Sequence, residues 1–281
     1  MKKAVSGIML TILFIGTLTL AFNIRLAKAE PTTWTVDDDV GADFTGIQDA
    51  INAASPGDTI YVYNGTYPEH VVVNKTVTII GENKSATIVD GEGTGIVIHS
   101  NVADVEIGGF TIQNGGVYPN SGMIIGSCVN NTIRDNIIRN NAYGITLIGS
   151  NGCNIINNLI INCSWAGIQI KDSSNNDIYE NTIMNNSEGV WATSGSSLLN
   201  RLYHNSFIDN LNQATDFGNE TSWDDGYPSG GNYWSDYTGN DTYYGSYQNL
   251  TGSDGIGDIP YDIYGNPNVQ DNYPLMNPAG A

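Results

Sequence analysis

Positive charge is scarce in this chain. Ten Lys and Arg stand against 29 Asp and Glu in 281 residues, a formal charge of −19. Nucleic acid and anionic lipid are recognised through clustered Lys and Arg, so neither partner class suits such a surface. Cysteine is equally sparse: Cys128, Cys153 and Cys163, with no C-x-x-C and no Cys/His spacing of a zinc site. Three is odd, so at least one thiol stays unpaired within the chain. Cys128 and Cys153 are about one repeat apart and are candidates to face each other. Long apolar runs are missing after the first 22 residues, which leaves no later membrane-span candidate. Long stretches of helical periodicity are missing too.

What is present is a repeat. From Asn131 to Asn210 the chain recurs every 22–24 residues as roughly N-x-I-x-x-N-x-I-x-N, a gap, then G-I-x-I. One asparagine recurs at Asn131, Asn154, Asn176 and Asn200, a second at Asn136, Asn158, Asn181 and Asn205. A third recurs at Asn140, Asn162 and Asn185, with Asp209 in the last copy; a glycine recurs at Gly122, Gly144, Gly167 and Gly189. A fixed period of this length marks a solenoid. The apolar pieces are short, isoleucine-rich and alternate at period two, so three strands fit in each period. The expectation is an all-β parallel β-helix of six to eight coils between about Thr59 and Asn210. Coils stack about 4.8 Å apart, so equivalent asparagines bond to one another and isoleucines fill the core. On this reading Asn162 and Asn185, both in N-x-S sequons, point inward and are closed to glycosylation.

The ends are legible as well. Residues 1–29 have the order of a secretory signal: Lys2-Lys3, an apolar stretch, then Ala27-Lys28-Ala29. Its removal takes four cations and moves the formal charge to −23. The mature protein is then secreted or held at the cell surface, with no stable membrane span. Residues 30–58 form an N-terminal cap, because an open coil would expose core and strand edges. Within it Thr45-Gly46-Ile47-Gln48 is a capping-box pattern, and Ile47, Ala50, Ile51 and Ala54 make one apolar stripe of a short helix. The coils occupy 59–212, and 213–281 make a C-terminal cap rich in Tyr, Gly and Asp. Nine of 16 tyrosines lie between Tyr227 and Tyr273. The loop Asp254-Gly255-Ile256-Gly257-Asp258, with Asp236 nearby in sequence, is a candidate oxygen shell for Ca²⁺.

The phrases SPGDTIYVYNGTYPE, GGNYWSDY, GSDGIGDIPY and DNYPL, together with the coils, resemble the NosD-like group across the whole mature chain. The resemblance implies a right-handed parallel β-helix of the pectin-lyase-like superfamily, of the carbohydrate-binding and sugar-hydrolysis type. It also implies copper, which wants clustered His, Cys or Met, whereas His70, His99 and His204 are scattered along the chain. Motifs that the superfamily's lyases, polygalacturonases and epimerases use are not found, and fold alone does not supply function.

Two outward columns carry the functional expectation. Trp191, Gln169 and Lys171, with Trp165 in the preceding turn, form a sugar-stacking platform: ring faces for C–H groups, polar neighbours for hydroxyls. Asp135, Glu180 and His204 stack one residue before the second asparagine column and are candidate catalytic groups, Glu180 and His204 as an acid/base pair. The expected function is binding or presenting extracellular polysaccharide without catalysis. The alternatives are a polysaccharide hydrolase or lyase using that carboxylate column, and a structural surface-layer or adhesion module.

Overall fold

A computed structural model describes residues 30–193, 196–218 and 220–278. The leader expected at 1–29 lies outside the described residues. From Thr32 onward the chain forms three eight-stranded parallel sheets, each coil giving one strand to each sheet. One coil, for example, runs through Thr132–Arg134, Ile137–Arg139 and Tyr143–Ile148. The next coil lies on it in register as Asn154–Ile156, Leu159–Ile161 and Ala166–Lys171. We call these sheets A, B and C in chain order. Seven complete coils lie between Thr59 and Asp216.

Period two explains the strands. Ile133, Ile138, Ile145 and Leu147 are fully buried, while Arg134 and Arg139 alternate with them on the outside. Full burial of such a side chain contributes about 1.5–3 kcal/mol, and the column repeats in Ile155, Ile160 and Ile168. The glycine column faces inward against the next coil. A Cβ at Gly144 would sit 2.5 Å from the Gly167 carbonyl and 2.7 Å from Ile160. Close approach, not positive φ, makes it glycine.

The corners are where the sequence reading needs correction. At the A-to-B corner Asn136, Asn158, Asn181 and Asn205 form the expected ladder: each backbone N–H donates to the next Oδ1 at 2.9–3.0 Å. At the C-to-A corner the inward slot belongs to Asn131, Cys153, Asn176 and Asn200, because Asn154 pairs with Thr132 on the strand. At the B-to-C corner it belongs to Asn141, Cys163, Asn186 and Asn210. Asn140, Asn162, Asn185 and Asp209 instead adopt φ of 52–57° one residue earlier, and all four are exposed, so Asn162 and Asn185 are not closed off. The rule at each corner is a left-handed residue followed by an inward one. Cys153 and Cys163 accept the N–H of Asn131 and Asn141 where a carboxamide would. Burial pushes the Cys163 thiol up to about 12, and the hydrogen bond with Cys128, with burial second, raises Cys153. All three cysteines are free and buried; Cys128 and Cys153 do meet, sharing a hydrogen bond across the corner.

Both ends are closed by tertiary contacts. The helix Ile47–Ala53 buries Ile47, Ala50 and Ile51, but no capping box forms: Gly46 is the N-cap and has no side chain to offer. The Glu69 carboxylate, from the first coil, accepts Ile47 N–H at 2.8 Å and Gln48 N–H at 2.9 Å in its place. Gln48 then pairs with Val72 N–H and C=O, satisfying the open edge of sheet C. A strand not expected from the sequence, Thr33–Val36, covers the edge of sheet A.

At the other end the aromatic segment continues the sheets. Tyr233–Trp234 joins sheet B and Tyr264–Gly265 joins sheet C. Phe207, Trp234 and Tyr261 stack with centroids 4.3 and 4.2 Å apart. The central ladder, expected to stop near Asn210, extends to Asn232 and closes on Asp271. That carboxylate accepts Asn232 N–H at 2.7 Å, Trp234 Nε1–H at 2.9 Å and Tyr273 N–H at 3.0 Å. A ladder of carboxamides needs acceptors at its last rung, and the two carboxyl oxygens of Asp271 supply them.

Candidate functional site

The Asp135, Glu180, His204 column exists, and Asn157 completes it. Each is the left-handed residue preceding the central ladder, with φ between 50° and 58°. Its chemistry is largely committed locally. Asp135 is ion-paired with Arg134 at 2.7 Å and accepts Asn157 Nδ2–H at 2.6 Å, and His204 Nε2 lies 2.9 Å from the Ser229 carbonyl. Glu180 is exposed on the outer edge of its corner.

The carboxylates proposed for Ca²⁺ are not brought together. Among the described residues the one trio of ligand groups within 4.8 Å of one another is Asp37, Asp38 and Asp39. Asp258 accepts Thr242 N–H, Thr242 Oγ1–H and Tyr243 N–H, which hold its carboxyl below the usual range although burial opposes them. Asp254 accepts Ile256 N–H, and Asp236 accepts the Tyr261 hydroxyl at 3.1 Å. These are turn-forming contacts of the cap. Soft ligands do not converge either. His70 and His99 fall on adjacent coils, nearer than the sequence suggested, yet both His70 nitrogens are engaged by Ile96 and Thr94. The three thiols sit in corner slots inside the coils.

The outer face of sheet C does assemble. Gln169, Trp191, Thr215 and Tyr264 occupy one register column on consecutive strands, because alternation turns them outward as Ile168, Val190 and Ala214 turn in. Trp165, from the corner before Ala166–Lys171, lies against Trp191 with centroids 6.4 Å apart and planes 23° apart. Two residues not singled out in the sequence extend the row. Tyr143 lies beneath, 6.4 Å from Trp191 and nearly parallel, and Tyr118 lies 4.9 Å from Trp165. Burial under these rings pushes the Tyr143 phenol up, and it bonds Gln169. Tyr118 comes from a loop and Tyr143 from the strand's first residue, so no shared position in the repeat marks them as one row.

At its end the row opens into a cleft of about 230 Å³ lined by Trp165, Glu188, Trp191, Thr215, Phe217 and Tyr264. Trp165, Phe217 and Tyr264 are each close to half exposed or more. Glu188 is fixed at the floor: Asn212 Nδ2–H donates to both oxygens at 3.0 Å and Thr215 Oγ1–H to one at 2.9 Å. Lys171 is exposed on the same sheet, next to the column. Thr146, the register partner of Gln169 on the preceding coil, is covered and bonded to Ser121 at 2.9 Å.

Among solved structures the chain is similar to a pectin methylesterase variant in complex with a hexasaccharide, at 14% identity and TM-score 0.45, over 63% of this chain and 72% of that one. It is also similar to the pectin methylesterase from Yersinia enterocolitica, at 12% identity and TM-score 0.48, over 64% and 70%. No curated protein matches. The family model described as periplasmic copper-binding protein (NosD) matches residues 51–239, about two thirds of the chain, and the protein belongs to that family.

Proposed function

We propose that this protein binds polysaccharide along the outer face of sheet C, outside the cytoplasm and without catalysis. One observation carries the reading: Tyr118, Tyr143, Trp165 and Trp191 form a continuous aromatic row that runs into a cleft with a fixed carboxylate and hydroxyl at its floor. Ring faces cover the apolar C–H side of a pyranose while Gln169, Glu188 and Thr215 meet its hydroxyls. The periplasmic description of the family and the apolar leader at 1–29 favour export. No helix among the described residues is long and apolar enough to cross a membrane. The copper in the family's description finds no fitting donor set among the described residues. The thiols are corner rungs, the imidazoles are apart, and no step is derived through the metal.

The test is retention on a polysaccharide array with released sugar ends scored in parallel. Retention without release, lost in Trp191→Ala, supports a binding protein. Release of reducing or unsaturated ends, abolished by Glu180→Gln, would replace it with a hydrolase or lyase using Asp135, Glu180 and His204. Neither effect would leave a structural or adhesion module.

A further inference from the structure

We infer that the cleft between Trp165 and Tyr264 selects neutral glycans, polymers of uncharged hexose units, and turns away polyuronates. The inference rests on the polysaccharide-binding reading above and concerns what the same site admits.

Charge placement carries it. A polyuronate presents one carboxylate per sugar, and recognising a row of them takes guanidinium forks or several ammonium groups in line. Six Lys and Arg follow residue 29: Lys75, Lys84, Arg134, Arg139, Lys171 and Arg201. All three arginines project from sheets A and B and are already engaged. Arg134 is held by Glu106 and Asp135, Arg201 by Asp177 at 2.8 Å, and Arg139 by Gln113 at 2.8 Å. Lys75 is turned to the N-terminal helix, donating to the Asn52 and Ala54 carbonyls. Lys84 lies in the loop between the sheet A strand Thr78–Gly81 and the sheet B strand Thr87–Thr94. Only Lys171 remains on sheet C, a single point charge.

The cleft itself has the opposite sign. Glu188 is its one charged lining residue, and its donors hold it in place without neutralising it. With three donor contacts accepted, the carboxylate keeps acceptor capacity for a sugar hydroxyl. A uronate in the same position would set two carboxylates together in a partly dry cleft, where like charges repel most strongly. Trp165, Trp191, Phe217 and Tyr264 supply wall area that suits the C–H face of an uncharged ring. The volume of about 230 Å³ suits roughly one pyranose unit, with its neighbours over the open row.

The experiment is affinity electrophoresis of the whole protein through gels cast with neutral glucan, mannan or galactan, and in parallel with polygalacturonate or alginate. Wild type should be retarded by at least one neutral polymer and by neither polyuronate. Trp191→Ala should lose about tenfold or more in affinity, the scale of a buried aromatic anchor. Trp165→Ala, at a more exposed position, repeats the test should Trp191→Ala fail to fold, with far-ultraviolet circular dichroism as the check. Glu188→Gln keeps one acceptor oxygen, enough for Thr215 and Asn212 at that position, and removes the charge, so it should admit polyuronate that wild type refuses. Retardation by polyuronate equal to or above that by neutral polymers would overturn the inference and leave the binding reading standing. No retardation by any polymer would overturn both.

Discussion

Sheets A and C are built on the same period but present opposite surfaces. On sheet A the outward residues answer one another: Glu106 with Arg134, Asp177 with Arg201, and Tyr179 stacked on Tyr203 at 5.2 Å. On sheet C the outward column is Gln169, Trp191, Thr215 and Tyr264, with aromatic faces left to solvent and one carboxylate at the floor of a cleft. The inner halves of both sheets are columns of buried apolar side chains, mostly Ile, Leu and Val. Stacking therefore fixes the inside of every coil and leaves the outside free to vary. A face whose side chains satisfy each other has little left for a ligand, while one that does not is where binding is expected.

Substitutions inside and outside should separate these roles. The largest loss of stability is expected for Asn181→Ala. Asn181 Oδ1 accepts two donors from Asn158, and Nδ2 donates to Ile155, Tyr179 and Asn205. Leaving several buried groups unpaired should cost about 3 kcal/mol or more in chemical denaturation. Gly144→Ala should follow at about 1–3 kcal/mol, since the new methyl meets the Gly167 carbonyl and Ile160.

Asp271 gives a pH-dependent test at the capped end. Burial is the main cause that raises its carboxyl from 3.8 to about 7, against the pull of Asn232, Trp234 and Tyr273. Between those values the folded protein holds a proton that the unfolded chain has released, so this group's contribution falls as pH rises. Melting curves of wild type and Asp271→Asn across pH 4–8 should show the difference moving in the variant's favour over that window. A constant difference would remove Asp271 as the source.

Smaller effects belong to the outside. Glu180→Gly should stabilise by up to about 1 kcal/mol, because a left-handed φ of 58° costs a glutamate and not a glycine. If glycan binding survives that change, the corner column is scaffold. Trp165→Ala should alter stability least, within about 1 kcal/mol given its 45% exposure, while weakening glycan retention. A variant that binds poorly but melts normally would sharpen the division between inside and outside.

Much of the fold was legible because a period leaves few solutions. The spacing of Asn136, Asn158, Asn181 and Asn205 gave one ladder directly, and the register bears it out. Of the other two ladders, the one through Asn131, Asn176 and Asn200 departs from expectation only at Asn154, and the third is shifted by one residue throughout, for a physical reason. At Asn140-Asn141 and Asn185-Asn186 both residues suit both slots, since asparagine tolerates left-handed φ and also stacks as a carboxamide. Cys153 and Cys163 hid the inward positions further, because a thiol does not look like a rung. The helix cap was misread similarly: Thr45 to Gln48 spells a local box, but Glu69 arrives from a coil 22 residues away.

The sequence by itself determined the coil, its three short strands, its isoleucine core and the need for covered ends, because each follows from local alternation multiplied by a period. It also set Trp165, Trp191, Gln169 and Lys171 near one another. Only the tertiary structure decided which asparagine in a pair turns inward, that Asn232 and Asp271 finish a ladder begun some hundred residues earlier, and that Tyr118, Tyr143, Glu188, Phe217 and Tyr264 join the aromatic face. Those choices depend on what lies in the adjacent coil or across a loop. Neighbours about 4.8 Å away along the solenoid axis are one repeat or more away along the chain, where no local pattern records them.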